Sequence, residues 1–122
     1  MKLITFLIMF LSLGAAAQDG DVLVGKWLKM NKEDLIIEIV KDQGTYKGKI
    51  AWSKDGSKPL GYQMLDKLTY NQKEHTWENG KIHDPTSGRS YNAKVKLNAN
   101  GTIEVTGKLF LFSSSRLFKR VK

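Results

Sequence analysis

The 122-residue sequence contains no cysteine, only two prolines and only two histidines. Without cysteine it can form no disulfide framework, no thiolate metal site and no cysteine nucleophile. It also lacks a segment of helical length with a 3.6-residue hydrophobic period, which argues against an α-helical domain. The sequence does have a hydrophobic content of 41% and a net charge of +8. A chain this apolar is folded rather than disordered, and its length suits one domain.

The first 17 residues have the layout of a secretory signal peptide. Lys2 precedes an apolar run over residues 3–13, and residues 15–17 are alanines that suit a cleavage site. A membrane-spanning helix needs about 20 apolar residues, so this run is too short to be an anchor. We therefore predict cleavage after Ala17. The product, residues 18–122, is expected to be a single exported domain, periplasmic or extracellular, with no membrane-spanning segment.

The remaining sequence alternates between apolar and polar residues, which is the pattern of half-buried β-strands. The clearest example is residues 89–98, and turn-forming residues at 84–88 and 98–101 flank it. The predicted strands are residues 22–30, 35–41, 45–52, 62–70, 77–83, 89–98, 102–112 and 116–121. Eight short strands joined by hairpin turns predict an all-β, up-and-down antiparallel barrel. A β-sandwich is the alternative that periodicity leaves open.

The two ends of the predicted barrel carry a pair of residues that can interact. The first strand contains Gly25-x-Trp27, and the last strand contains Arg120. First and last strands pair in a closed barrel, so the Arg120 guanidinium can stack on the indole with Gly25 permitting the approach. Such a cation–π contact places the guanidinium within about 6 Å of the ring and contributes roughly 0.5–2 kcal/mol. This spacing is similar to that of the lipocalin and avidin-like barrels.

A longer pattern resembles the DUF2147 family of small exported bacterial proteins. Its sharpest element is W-x-x-G-x-I-x-D-P-x-x-G-[KR]-x-Y, matched over residues 77–91. The fixed positions of this element include Trp77, Gly80, Asp84, Pro85 and Gly88. The resemblance covers residues 24–121 and implies a compartment and a lipocalin-like barrel, but no known reaction.

Three features depart from the family pattern. The central loop over residues 53–61 is short and basic, whereas the family usually has a longer acidic stretch there. His83 stands where an aliphatic or aromatic residue is commoner, and Phe118 where Trp is usual. A function that depends on the longer central stretch is therefore altered or absent in this member.

Asp84 is assigned a structural role within the matched motif. A carboxylate at the first position of a turn can accept N–H groups from Thr86 or Ser87, and Pro85 presets the next φ angle. Gly88 can supply a positive φ at the exit. We expect this segment to fix the register of its hairpin.

Residues that could carry catalysis or hold a metal are few. A hydrolytic triad needs a histidine oriented by an acid, and only His75 and His83 are present. Asp84 follows His83 directly, and adjacent strand residues point to opposite faces. Zinc needs three or four suitable ligands, and no such spacing occurs. We predict no metal, no cofactor and no enzymatic activity.

The basic residues favour an anionic partner over nucleic acid. Lysines occupy outward positions of the predicted strands at Lys47, Lys49, Lys94, Lys96 and Lys108. They form either a solvated face or a surface for an anionic envelope component. Nucleic-acid binding prefers aromatics interleaved with cations on one face, and the aromatics of the third strand take the opposite phase from its lysines. No nucleic-acid partner is therefore predicted.

Two functional interpretations remain for the predicted barrel. In the first, its interior binds a small amphipathic or apolar ligand in a pocket that opens opposite Trp27 and Arg120. The candidate pocket walls are the inward residues Tyr46, Ile50, Trp52, Tyr91, Ala93 and Val95. In the second, these side chains fill the interior, and the protein is a structural or cell-envelope interaction protein with a basic outer surface. Small inward residues such as Gly48 and Gly107 favour the first interpretation, and bulky ones such as Leu109 favour the second.

Overall fold

Eight antiparallel strands close into a barrel in up-and-down order. The computed structural model describes residues 20–122. Its strands are β1 (Gly25–Lys29), β2 (Leu35–Asp42), β3 (Thr45–Ser53), β4 (Gln63–Asn71), β5 (Thr76–His83), β6 (Ser90–Leu97), β7 (Ile103–Leu109) and β8 (Phe112–Arg120). The predicted barrel is confirmed, and the sandwich alternative is wrong. The predicted signal peptide, residues 1–17, lies outside the described residues.

The barrel has one closed end and one open end. At the closed end, residues 20–24 cross the base and accept hydrogen bonds from two core tryptophans. The Trp77 indole donates to the Gly20 carbonyl at 3.1 Å, and the Trp27 indole donates to the Leu23 carbonyl at 2.9 Å. The loops between β1 and β2, β3 and β4, β5 and β6, and β7 and β8 lie at the opposite end. The first residues of the described chain therefore close one end only.

Alternate residues of β2, β6 and β7 point into the barrel, as the sequence pattern predicts. The alternation is interrupted in β4 and β5, where the buried pairs Leu65 and Leu68, and Trp77 and Gly80, are three residues apart. Trp27, Trp77 and Phe118 are the largest fully buried side chains. Aliphatic residues from β2, β3, β4, β6 and β7 pack around them in one continuous core. This core extends from the closed end toward the open end, where Leu35 and Met64 belong to it.

The predicted contact between Trp27 and Arg120 is confirmed. Their strands pair at these two residues, and the guanidinium carbon lies 4.2 Å from the centre of the indole ring. The guanidinium also donates to the Val24 carbonyl at 3.1 Å and to the Val22 carbonyl. A Cβ at Gly25 would lie 2.7 Å from Arg120 Nη1, so only glycine permits this approach. Arg120 of the last strand thus contacts both the first strand and the segment that covers the closed end.

The predicted boundary between the last two strands is wrong. The sequence predicts one strand over residues 102–112 and the next from Arg116. In the structure the chain reverses at Phe110 and Leu111, and Leu109 pairs with Phe112 across a two-residue turn. The sequence marks a turn by Gly, Pro, Asn, Asp or Ser, and the turn at Phe110 and Leu111 contains none of them.

A β-bulge corrects the predicted orientation of Trp52. Ile37 pairs with Ile50 and Ile36 pairs with Trp52, so Ala51 is an extra residue in β3. Such an insertion reverses the inward and outward faces beyond it. Trp52 is consequently 41% exposed, and Ser53 is buried in its place.

The hairpin between β5 and β6 has the geometry predicted for the Asp84 turn. The Thr86 N–H donates to Asp84 Oδ1 at 2.8 Å, and the Ser87 hydroxyl donates to Oδ2 at 3.0 Å. The Gly88 N–H donates to the Asp84 carbonyl at 2.9 Å. The Thr86 N–H, more than any other contact, holds the pKa of Asp84 below its usual value. The hydrogen bonds predicted for the Asp84 turn are therefore present.

Replacing Gly88 with valine is expected to destabilise the protein through the backbone alone. Its φ is +75°, and a Cβ there would contact no atom within 4 Å. The left-handed conformation costs a β-branched residue roughly 1–2 kcal/mol, which lowers the melting temperature by about 4–8 °C per kcal/mol. Thermal unfolding followed by circular dichroism measures the change. Gly88→Asn is the matched control, because asparagine tolerates this conformation, and equal melting temperatures for Gly88→Val and wild type would contradict the prediction.

Candidate ligand-binding site

A cleft of about 520 Å³ opens at the open end of the barrel. It lies between the ends of β5, β6, β7 and β8 and the end of β1. This is the end opposite Trp27 and Arg120, where the sequence predicts an opening. The interior is therefore packed in one half and open in the other.

The floor of the cleft is apolar. Side chains from six different strands form it: Leu35, Met64, Ile82, Tyr91, Val105 and Phe118. Gly107 also faces the cleft, and a Cβ there would lie 3.1 Å from Ile82 Cγ2 and 3.5 Å from Tyr91 Cβ. The absence of a side chain at Gly107 keeps this part of the interior open.

The mouth of the cleft carries three cationic side chains. Lys29 and Arg116 occupy inward positions of β1 and β8, in phase with Trp27 and Phe118, and Arg89 leaves the β5–β6 turn. Lys29 lies 3.6 Å from Asp34, so its charge is partly compensated. Within residues 20–122, neither arginine forms an ion pair with a carboxylate.

The remaining polar groups at the mouth are already engaged. His83 Nδ1 lies 2.7 Å from the Ser90 hydroxyl, and the Asp84 carboxylate accepts the two hydrogen bonds of its own turn. Arg116 Nη1 donates to the Ser114 hydroxyl at 2.7 Å and to the Ser115 carbonyl at 2.9 Å. The cleft lining therefore has three cations and one acid, Asp84, so its net charge is positive.

Of the six residues predicted to form the pocket walls, Tyr91 alone lines the cleft. Ile50, Ala93 and Val95 face inward as expected, but they are buried in the core and do not line the cleft. Trp52 lies outside the barrel, because the bulge in β3 turns it outward. The sequence pattern identified inward positions without indicating how deep each one lies.

Tyr46, the sixth candidate, belongs to the closed end. Its hydroxyl donates to Asp21 Oδ1 at 2.6 Å, and Lys41 Nζ lies 3.1 Å from the same oxygen. Burial, followed by the hydrogen bond to Asp21, raises the pKa of Tyr46. The Tyr46 hydroxyl and then Lys41 lower the pKa of Asp21. This hydroxyl thus fastens the base of the barrel and is distant from the cleft.

Sequence reasoning missed the cations at the mouth. Lys29 and Arg116 carry a signal that could have identified them, since each is a charged residue at an inward position two residues from a buried aromatic. The signal at Arg116 was hidden because the last strand was predicted to begin there. Arg89 shares the inward phase of Tyr91 in the predicted strand over residues 89–98, but β6 begins only at Ser90, so the turn and not the alternation sets the direction of Arg89.

Other classes of site find little support among the described residues. No group of three or more His, Cys, Asp or Glu side chains in residues 20–122 could hold a metal ion. His75 Nδ1 lies 3.2 Å from the Tyr70 hydroxyl. His75 directly precedes β5 and His83 ends it, so the two histidines lie at opposite ends of this strand. In the same part of the chain, no helix is long and apolar enough to cross a membrane.

Comparison with known proteins places the chain in a family and supports its fold. No match is found among curated proteins. Protein HP1028 from the human pathogen Helicobacter pylori, described as belonging to the lipocalin family, has a similar structure with a TM-score of 0.66 and 20% sequence identity. That similarity covers 82% of this chain and 83% of the other. The model of the family described as "Uncharacterized protein conserved in bacteria (DUF2147)" matches residues 25–120. The chain therefore belongs to the DUF2147 family, and its fold is a lipocalin-like barrel.

Proposed function

We propose that this protein is an exported, non-enzymatic binding protein for a small amphipathic molecule with an apolar body and an anionic head. The observation that carries this proposal is an apolar cleft whose mouth holds two arginines without a carboxylate partner in residues 20–122. The signal-peptide layout of residues 1–17 supports export.

The apolar floor supports the first part of the ligand's chemistry. Small-molecule sites are concave, mainly apolar pockets of roughly 300–1,000 Å³ with a few placed polar groups. The volume of about 520 Å³ falls within that range and suits a single acyl chain or a small aromatic body. Met64 adds adaptability, because its unbranched side chain can adjust to different ligand shapes.

The cationic mouth supports the anionic head. Arginine presents a planar set of donors that matches a carboxylate or phosphate, and its charge strengthens the hydrogen bonds. With the apolar body on Phe118 and Val105, the head reaches the level of Arg116 and Arg89 at the rim. A neutral alcohol of the same length would gain the apolar contacts and lose the charged ones.

Titration calorimetry with dodecanoate, below its micelle concentration, tests the proposal. Wild-type protein is expected to show saturable one-to-one binding, with dodecanol binding about tenfold more weakly. Arg116→Ala should weaken dodecanoate about tenfold or more, because a hydrogen bond to a charged group contributes about 1.5–3 kcal/mol. The same change should leave dodecanol unaffected.

Two further variants locate the binding. Gly107→Leu fills the cleft and is expected to abolish binding of both ligands, while circular dichroism shows that the barrel persists. Lys94→Ala removes an exposed cation on the outer face of β6 and should change neither affinity. Absence of saturable binding by the wild type, or full binding by Gly107→Leu, would leave the packed-barrel interpretation in its place.

A further inference from the structure

The hairpin between β7 and β8 ends in four consecutive large apolar residues that project into solvent. Leu109, Phe110, Leu111 and Phe112 are 37%, 83%, 96% and 80% exposed, respectively. We call these four residues the apolar tip. Exposed apolar side chains on soluble proteins usually occur singly, whereas a contiguous group marks an interaction surface.

The backbone of the apolar tip contradicts local preference. Phe110 has a φ of +55° at the first position of a two-residue turn, where hairpins with a single positive φ favour glycine. A bulky residue in this conformation is costly. Because Phe110 and Leu111 are almost fully exposed, packing within the chain does not offset that cost. Retained strain of this kind points to a function outside the barrel.

The apolar tip adjoins the cleft on its open side. Leu109 and Phe112 line the cleft, whereas Phe110 and Leu111 stand beyond it. The pairing of β1 with β8 ends where Lys29 meets Phe118, so residues 112–116 pair with β7 alone among the described strands. The cleft therefore opens sideways, next to the tip.

The chain segment that carries the apolar tip has charge of one sign. Residues 105–122 contain five lysines and arginines and no acidic residue. Lys108 directly precedes the tip, and Arg116 follows it four residues after Phe112, at the cleft mouth. Neither side chain forms an ion pair within residues 20–122. Phenylalanine and leucine flanked by cations are the composition of segments that lie in the headgroup region of anionic membranes.

We propose that the apolar tip docks this protein on an anionic lipid bilayer. Phe110 and Leu111 enter the boundary between headgroups and acyl chains, and Lys108 and Arg116 contact the lipid phosphates. A second copy of the chain fits less well, because a two-fold contact of tip on tip would bring the same cations against each other. Docking sets the sideways opening of the cleft against the membrane surface. This inference goes beyond the proposed function and does not depend on it.

Flotation with vesicles tests the docking. The purified protein, its N-terminus identified by intact mass, is mixed with vesicles of phosphatidylcholine alone or with phosphatidylglycerol added. Wild type is expected to float with the anionic vesicles, and less so at high salt because exposed charges are screened. The double variant Phe110→Gly, Leu111→Ser places a favoured dipeptide in the turn, so it should be at least as stable as wild type. Its partition to vesicles is expected to fall about tenfold or more.

Charge variants separate docking from general attraction. Lys108→Glu at the tip should weaken partition several-fold more than Lys96→Glu, an equal change near the closed end. Equal partition of the double variant and wild type would overturn the proposal. So would a concentration-dependent dimer that the double variant abolishes, together with absence of vesicle binding, since it would assign the tip to a second copy. The double variant should keep its dodecanoate affinity in solution, so loss of docking and loss of ligand binding are distinguishable.

Discussion

Replacing Trp27 with alanine is expected to lower the free energy of unfolding by about 3–5 kcal/mol. Trp27 is fully buried, and it is the base on which Arg120 stacks. Its indole also donates to the Leu23 carbonyl, which holds the segment that covers the closed end. The loss is large beside the total stability of roughly 5–15 kcal/mol that a domain of this kind has. Urea unfolding followed by circular dichroism gives the value without relying on tryptophan emission.

Trp52 is the matched control for this prediction. Trp52→Ala removes the same atoms from a position that is 41% exposed on the outside of the barrel, so its cost should be about 1 kcal/mol or less. Trp27→Phe should fall between the two, because it keeps a ring beneath Arg120 and loses the indole hydrogen bond. If Trp27→Ala does not fold, Trp27→Phe still supplies the comparison. Equal losses at Trp27 and Trp52 would contradict the assigned roles.

Adding a single methyl group at Gly80 is the second change with a large expected effect. A Cβ there would lie 2.6 Å from the Asp66 carbonyl oxygen and 2.7 Å from Leu68 Cδ2. The oxygen belongs to the backbone of the neighbouring strand, so β4 and β5 would have to separate. We expect Gly80→Ala to cost about 3 kcal/mol and to lower the melting temperature by roughly 10–20 °C.

Gly48 provides the comparison within the same barrel. It is also a buried strand glycine, but its Cβ would meet the side chains of Ile39 and Leu65 at 3.4 Å. Gly48→Ala should therefore cost less than about 1 kcal/mol. Both substitutions reduce the entropy of the unfolded chain equally, so their difference reports the close contact alone. Equal melting temperatures for Gly80→Ala and Gly48→Ala would show that the close approach of β4 to Gly80 does not prevent a side chain there, and would contradict the prediction.

The sequence by itself predicts the class, order and closure of the barrel correctly. Period-2 alternation and turn residues are local properties, because covalent geometry fixes which way successive strand side chains point. The same holds for the Asp84 turn, whose partners lie two and three residues away. The contact of Trp27 with Arg120 is distant in sequence, yet closure of the barrel requires the first strand to pair with the last.

Errors arose where a strand departs from regular geometry. The bulge at Ala51 inserts one residue and turns Trp52 outward, and no composition signal marks it. The reversal at Phe110 and Leu111 uses residues that turns avoid, so no turn signal marks it in the sequence. At Ala51 the pairing of β3 with β2 overrides the local pattern, whereas Phe110 and Leu111 are exposed and packing within the barrel does not account for their reversal.

The cleft is the feature that only the tertiary structure decided. Whether inward side chains fill a barrel depends on the difference between its internal volume and the summed volumes of residues from all eight strands. Side chains fill the internal volume near Trp27 and Trp77, whereas unfilled volume remains around Gly107. The arginines at the mouth come together through the fold as well, since Arg89 follows the β5–β6 turn and Arg116 lies on β8, two strands away from β6 in the barrel. Alternation fixes the side of the sheet on which a residue lies, and packing alone fixes what that residue meets there.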